Sequence, residues 1–349
     1  MIKKNHFMIG GLAEAKNYHQ PIDIPIEKGD EYYSNLKAMT IIRKVEEIIG
    51  ENIKNNLIKC PCHLSIGQEA IPVAISKYLN NNDFIFGNHR SHGHYLAAGG
   101  SSYELFAEVL GKATGCARGM GGSMHITSAQ TGFVGSVPIV SGTVPLAVGA
   151  GLSAQMNGQK QIAVSYFGDG ATEEGVFHES LNLASKFKLP VLFVCENNLF
   201  SSHLHITERQ PFSSVLRFGD ANGIKNKRVD GNNIVAISSC VKKAIETIRN
   251  GNGPFLLEAV TYRFSGHVGH AENIDVGLQR KSDLTLWKKR DPIKRTVNGL
   301  LKKNLIKETK YLEFCKDVNK RLTKEWDQAK KDPFPKLSQL IESTYATND

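Results

Sequence analysis

The segment from residue 162 to 195 constrains this chain most: a strand, a Gly-Asp-Gly turn, a helix and a second strand follow one another without a break. Ile162-Ala-Val-Ser-Tyr-Phe167 is a short apolar run of the kind buried in a sheet interior. Gly168-Asp169-Gly170 ends it. From Glu173 to Phe187 the apolar residues Val176, Phe177, Leu181, Ala184 and Phe187 recur on one helical face. Pro190 stops that helix, and Val191-Leu-Phe-Val-Cys195 begins the next strand. Such a unit requires parallel strands joined by a right-handed crossover. The predicted class is therefore α/β, a parallel sheet with helices on both faces.

The rest of the chain extends this scheme. Residues 1–30 read as an N-terminal arm, because Pro21 and Pro25 interrupt regular structure. Apolar residues at helical spacing (Leu36, Met39, Ile42, Val45, Ile48, Ile49) predict a helix over 31–60, and Ala70, Val73, Ala74 and Tyr78 another over 66–80. Residues 84–135 are rich in Gly and His, with one helix at about 102–112. A helix at about 234–249 precedes a strand from Phe255 to Val260. Residues 283–349 are charged and mostly helical. The organisation read from this is an arm over 1–30, an α/β domain over 31–295 and a C-terminal helical segment over 296–349.

Charge and cysteine usage exclude several classes. The formal charge of +9 is spread along the chain. The densest basic runs, Lys225-Asn226-Lys227-Arg228 and Lys288-Lys289-Arg290, lack the aromatic partners of a nucleic-acid surface. Six cysteines are scattered; Cys60 and Cys62 form no zinc set with a second pair, so free thiols in a reducing cytoplasm are expected. Apolar residues near the start are broken by Glu14, Lys16 and Asn17, which fits no secretory segment. No apolar run reaches the ~18 residues of a membrane span.

The chemistry should lie where the strands end. Ligands of open parallel sheets bind beyond the carboxyl ends of the strands. Asp169 stands at such an end between Gly168 and Gly170, which let the backbone approach a bound group, and the next helix aims its first N–H groups at the same spot. A carboxylate alone would repel a phosphate, so Asp169 makes sense as a ligand to a divalent metal bridging to a diphosphate. The next strand ends in Glu196-Asn197-Asn198-Leu199-Phe200, 29 positions from Asp169 to Asn198. An Asn side-chain oxygen and a nearby backbone carbonyl there would complete three protein oxygens for Mg²⁺, which prefers six in an octahedron.

With those residues in place, the chain resembles the α subunits of thiamin-diphosphate-dependent 2-oxo acid dehydrogenases of the pyruvate, acetoin and branched-chain type. The resemblance covers about residues 30–295. It is carried by Gly168-Asp-Gly-Ala-Thr-Glu-Glu-Gly175 with Cys195-Glu-Asn-Asn198, by His63-Leu-Ser-Ile-Gly-Gln-Glu-Ala70 and by His89-Arg-Ser-His-Gly-His94. The stretch from Gly111 to His125, Ile139-Val140 followed by Val144-Pro145-Leu146, and Tyr262-Arg-Phe-Ser-Gly-His267 complete the set.

The resemblance implies a thiamin-diphosphate-binding fold with Mg²⁺ held by Asp169, Asn198 and the carbonyl of Phe200. It implies diphosphate contacts from Gly170 and Ala171, a phosphate contact from Arg90, and a thiamin pocket lined by Ile139 and Val140. His63 and His267 would face the reacting carbon, and Arg263 would steady the loop of His267. The implied reaction is decarboxylation of a small 2-oxo acid, or cleavage of acetoin, with acyl transfer to a lipoyl group on an acyltransferase. A β subunit would supply the carboxylate that activates the cofactor, in an α2β2 heterotetramer.

Three departures from the family pattern stand out. His89 replaces a tyrosine, Phe200 replaces a tyrosine, and residues 268–277 replace the usual loop after His267. The changed loop leaves a second reading open, a two-subunit thiamin-dependent decarboxylase or carboligase without lipoyl coupling. A third, a non-catalytic α/β scaffold, is opposed by the presence of Asp169, Asn198, His63 and His267. His92, His94 and His125 are read as hydrogen-bonded structural groups, and Glu69 as a structural acid.

Overall fold

The computed structural model describes residues 7–272 and 281–342. Six strands form one parallel sheet: β1 (Phe84–Gly87), β2 (Phe133–Ser136), β3 (Ala163–Gly168), β4 (Val191–Asn197), β7 (Lys225–Asp230) and β8 (Phe255–Val260). Their order is β2-β1-β3-β4-β8-β7. A small antiparallel pair, β5 (Phe200–Ser201) and β6 (Leu204–His205), stands beyond the end of β4.

Helices cover both faces, because successive side chains of a strand point to opposite sides. Val164 and Tyr166 of β3 and Leu192 and Val194 of β4 face one core. That core is closed by α1 (Gly29–Lys54), α2 (Ala70–Ser76), α3 (His92–Ala97), α4 (Ser102–Val109) and α9 (Ile234–Arg249). Ala163, Phe167, Val191, Phe193 and Cys195 face the other, under α5 (Thr143–Met156), α6 (Gly175–Lys186) and α8 (Leu216–Ala221). Short α7 (Ile206–Arg209) follows β6, and α10 (Lys281–Trp287), α11 (Pro292–Lys302), α12 (Glu308–Lys331) and α13 (Leu337–Glu342) end the described chain. α12 lies on α4, with Trp326 edge-on to Phe106 at 5.4 Å between ring centres. Among the described residues no helix is long and apolar enough to cross a membrane.

The strongest sequence signals match the structure closely. α9 and β8 have the expected bounds, 234–249 and 255–260. α9 buries Ile234, Ile237, Val241, Ala244, Ile245 and Ile248 along one stripe, each large aliphatic contributing ~1.5–3 kcal/mol. Its start is fixed by Asn233, whose side chain accepts from the N–H groups of Val235 and Ala236 at 3.1 Å each. Asn233→Ala should lower stability by ~1 kcal/mol, read as a reduced denaturant midpoint at unchanged slope.

Several elements differ from expectation. The helix expected over 31–60 ends at Lys54, because Asn56 takes a left-handed φ of 57° and turns the chain away. The one expected over 66–80 is only Ala70–Ser76. Gly67 breaks its start: it has φ +102°, and an added Cβ would lie 2.8 Å from the Phe264 ring. Only glycine lets this loop sit so close to the segment that carries His267.

The strands β1 and β2 were unforeseen, and so was α5, whose mix of small and apolar residues shows no sharp period. Gly151 of α5 seats the helix on β4; a Cβ there would be 2.7 Å from Val191. β7 occupies the basic run that leads into the Val229-Asp230-Gly231 segment. It is the outermost strand, with Lys225 and Lys227 exposed and Val229 and Asp230 buried.

The arm lies against the body over its described part. Ile22 and Ile24 are buried in the larger core, and the Ser214 N–H donates to the Phe7 carbonyl at 3.1 Å.

Candidate active site

The chain crosses the carboxyl edge of the sheet where β1, β3, β4 and β8 end, and the residues just past those ends line one cleft. They include Arg90 after β1, Gly170 and Ala171 after β3, Asn198 and Phe200 after β4, and Arg263 and His267 after β8. His63 comes from the loop before α2, and Ile139, Val140 and Ser141 from the loop before α5.

Asp169 is buried under this cleft, 1% exposed. One carboxylate oxygen pairs with Arg209, which also pairs with Glu173. The other, Oδ1, is buried and finds no hydrogen-bond partner among the described residues. Burial pushes the Asp169 carboxyl above its usual range, with Arg209 acting in the opposite sense. A buried carboxylate oxygen with nothing to bind is costly unless a cation takes it.

The paired asparagines divide by strand alternation. Asn197 turns away from the cleft, donating to Glu258 at 2.8 Å and accepting from the Leu199 N–H at 3.2 Å. Asn198 faces the cleft; its Nδ2 donates to Gln68 at 3.2 Å and its Oδ1 accepts from the Phe200 N–H at 3.2 Å. The turn that exposes it uses a left-handed Leu199, φ 71°, an uncommon conformation for a bulky residue.

The glycines around Asp169 act differently. A Cβ on Gly170 would run into the Ser201 side chain, whereas one on Gly168 would meet nothing and would project into open space beside the cleft. Ser141, at φ 61°, donates to the Ala171 carbonyl at 3.2 Å and so ties the Ile139-Val140 loop to this turn. Ile139 and Val140 are 69% and 49% exposed at the lip.

Three imidazoles gather opposite. The ring centres of His63 and His267 are 4.9 Å apart, those of His63 and His89 4.7 Å, and those of His89 and His267 5.6 Å. One nitrogen from each lies within 4.8 Å of the others. Burial first, and the Arg90 charge second, push His63 down to about 3, and the same causes in the same order hold His89 well below its usual value. Both are neutral at physiological pH.

A sign follows for acid stability. Between pH 6.5 and about 3 the unfolded His63 binds a proton that the folded one refuses, so the fold should lose stability as pH falls through that window. The urea midpoint should decline over it, and less steeply in His63→Phe.

Two buried arginines fix these rings. Arg90 donates to the Leu64 carbonyl at 2.6 Å and to the His267 carbonyl at 3.3 Å, joining the His63 and His267 loops. Arg263 is 1% exposed, donates to the Ser202 carbonyl at 2.7 Å and reaches His267 Nδ1 at 3.3 Å.

His92 and His94 are held by other groups. His92 bridges Glu46 (2.9 Å) and Ser123 (2.8 Å), and His94 contacts Glu196 (3.1 Å) while stacking on Tyr166. Glu69 is fully buried and pairs with Arg43 at 2.5 and 3.0 Å. Gln68, Ser141 and Glu196, which the sequence gives no role, also line the cleft, as does His89, noted above only as a replacement for tyrosine. Gln68 lies inside the His63–Ala70 motif, and Glu196 one position before the asparagine pair. The loop after His267 is described only to Glu272; the remainder of the divergent stretch, 273–277, lies outside the described residues.

Comparison with known proteins adds an independent finding. The family described as dehydrogenase E1 component matches residues 37–338. The chain is 35% identical over 312 residues to the α subunit of acetoin:2,6-dichlorophenolindophenol oxidoreductase of Bacillus subtilis, covering 89% of this chain and 92% of that one. It is 33% identical over 306 residues to the pyruvate dehydrogenase E1 component subunit α of Rhizobium meliloti, covering 87% of each. It is 31% identical over 322 residues to the somatic mitochondrial form of that subunit from Pan troglodytes, covering 92% of this chain and 80% of the relative.

Proposed function

Since the chain belongs to the dehydrogenase E1 component family, we propose that it is the α subunit of a thiamin-diphosphate-dependent 2-oxo acid dehydrogenase, acting on a pyruvate-like acid or on acetoin. The observation that carries this reading is the buried, unpartnered Oδ1 of Asp169 at the end of β3, with Asn198 at the adjacent strand end and a histidine cluster across the cleft.

Asp169, Asn198 and the Phe200 carbonyl hold Mg²⁺, hard oxygen donors suited to that ion. The backbone of Gly170 and Ala171, freed of side-chain bulk, receives the diphosphate, Gly168 keeps the cleft beside it open, and Arg90 is a phosphate contact from the same wall. Ile139 and Val140 bear on the thiamin ring, and their exposure supports a pocket completed by another body. Thiamin diphosphate, when bound, supplies the electron sink for loss of carbon dioxide. The chain's own contribution is position and proton control. His63, held neutral by burial, and His267 beside it stand where a substrate carbonyl would gain negative charge, and Arg263 holds His267 in place.

The second body is a β subunit in an α2β2 assembly. Leu146, Leu152 and Met156 of α5, Leu183 of α6 and Phe187 just past its end are exposed, 37–77%, on two helices that pack side by side. Exposed apolar patches of this kind mark protein interfaces. A lipoyl acyltransferase is the acceptor of the acyl group.

The test is co-expression with the β subunit and an assay of 2-oxo acid decarboxylation with thiamin diphosphate, Mg²⁺ and an artificial electron acceptor, then with a lipoyl domain. Activity requires both chains. Turnover with the artificial acceptor but none with any lipoyl domain would favour a decarboxylase or carboligase. A folded pair that binds no thiamin diphosphate would overturn the proposal.

A further inference from the structure

Two thiols stand outside this chemistry yet touch the segments that carry it. Cys60 and Cys62 flank Pro61, and their sulfurs lie 3.8 Å apart. Both are free; Cys60 is partly exposed and Cys62 is buried. The hydrogen bond from Cys62 pulls the Cys60 thiol down to about 7 against the effect of burial, helped by the backbone at Ser123. The same contact first, and burial second, push Cys62 upward. Near neutral pH this sets a thiolate beside a thiol, the combination that an oxidant converts to a disulfide.

The pair is coupled to both histidines through the backbone. Cys62 precedes His63 directly. Its carbonyl accepts from the Gly269 N–H at 2.9 Å, two residues past His267. A sulfur–sulfur bond is about 2 Å long, so closure from 3.8 Å must draw residues 60–62 together. Gly122 abuts Cys60, and a Cβ built there would be only 3.2 Å from the Cys60 Cβ. Movement of Cys62 is carried to His63 through the peptide bond and to Gly269 through that hydrogen bond.

We propose that Cys60 and Cys62 are an oxidant-sensitive dithiol whose closure displaces His63 and loosens the loop of His267. The consequence for turnover rests on the histidine roles proposed above. With hydrogen peroxide, the Cys60 thiolate attacks one oxygen and the O–O bond breaks. Cys60 becomes a sulfenic acid, and the departing hydroxide takes up a proton to give water. The Cys62 thiol then attacks the Cys60 sulfur, the S–O bond breaks, and the hydroxyl leaves with the Cys62 proton as a second water. Two thiols are oxidised to one disulfide, and one peroxide is reduced to two waters.

The experiment uses the full α–β enzyme, first reduced and then exposed to graded hydrogen peroxide, alkylated and mapped by mass spectrometry. The expected result is a peptide spanning residues 60–62 that is lighter by about 2 Da and resists alkylation. Hydrogen–deuterium exchange should rise across residues 266–271, and turnover should fall by about 100-fold, the scale of a small misplacement of a reacting group. Dithiothreitol should reverse all three. Cys60→Ser and Cys62→Ser should match the reduced wild type and stay unchanged on oxidation. Oxygen adducts without a bridge, a bridge to another cysteine, or a 60–62 bridge that alters neither exchange nor turnover would each overturn the proposal. Should the serine variants fold poorly, wild-type mass and exchange decide alone. The same two readouts decide if no thiamin-dependent turnover exists, a result that would count against the proposed function instead.

Discussion

Asp169→Ala in the assembled α–β enzyme is expected to remove thiamin-diphosphate-dependent turnover and to weaken cofactor binding by well over 100-fold. Loss of a group merely supporting a metal ligand costs about 10–100-fold in affinity, and Asp169 is read as the ligand itself. The fold should survive. Burial raises the Asp169 carboxyl above its unfolded value, so its contribution to stability is present at low pH and is lost as pH rises through the folded value. As pH rises, without metal, the buried side chain thus becomes a net cost. Alanine removes that cost but leaves Arg209 with Glu173 as its remaining carboxylate partner. Asp169→Asn, which keeps the shape, is the companion variant. Thermal unfolding with and without thiamin diphosphate and Mg²⁺ separates the effects. The wild type should rise in Tm on adding both, and neither variant should. A variant that still gains stability from them would show that the metal lies elsewhere.

The second large effect is expected at His267. His267→Ala should lower kcat by about 10²–10⁴-fold, the range for a positioned proton-transfer group, with cofactor affinity close to that of the wild type. The reason lies in its partner. Arg263 has donors and no acceptor, and its Nη1 faces His267 Nδ1 at 3.3 Å. The Nδ1 atom must therefore accept, which puts the ring proton on Nε2. Arg263→Gln should cost less, because it removes the orientation and keeps the ring. Isothermal titration of cofactor beside steady-state kinetics makes the distinction. Equal losses in binding and turnover would place His267 with the cofactor instead of the substrate.

How much of this was legible in the sequence depended on the kind of signal. The unit from Ile162 to Asn198 could be read because strand, turn, helix and strand follow in order and a proline closes the helix. It supplied the sheet type, the place of the site and both side-chain ligands proposed for the metal. The short strands β1 and β2, four residues each, carry too few residues to show a period, and pairing with long neighbours makes them strands. α5 hid for the opposite reason, since its exposed face is nearly as apolar as its buried one. The histidine cluster could not be seen at all by spacing. His63, His89 and His267 come from three loops, and only the fold brings one nitrogen of each within 4.8 Å of the others. The resemblance to known α subunits named two of them, and the third appeared once β1 was seen to end beside the other loops. The resemblance named Asn198, and the direction of β4 gives the physical reason for a difference between the pair, sending Asn197 to Glu258 and Asn198 to the cleft.

β7 gives the excess of positive charge a physical task. A sheet with an open margin offers unpaired amides and carbonyls to any other extended chain, and this sheet ends on a strand reading Lys-Asn-Lys-Arg. Lysines on such a margin repel the same margin of a second molecule and oppose strand-by-strand accretion. Part of the basic character is therefore a safeguard against aggregation, since apolar residues at the exposed positions of Lys225 and Lys227 would invite polymerisation.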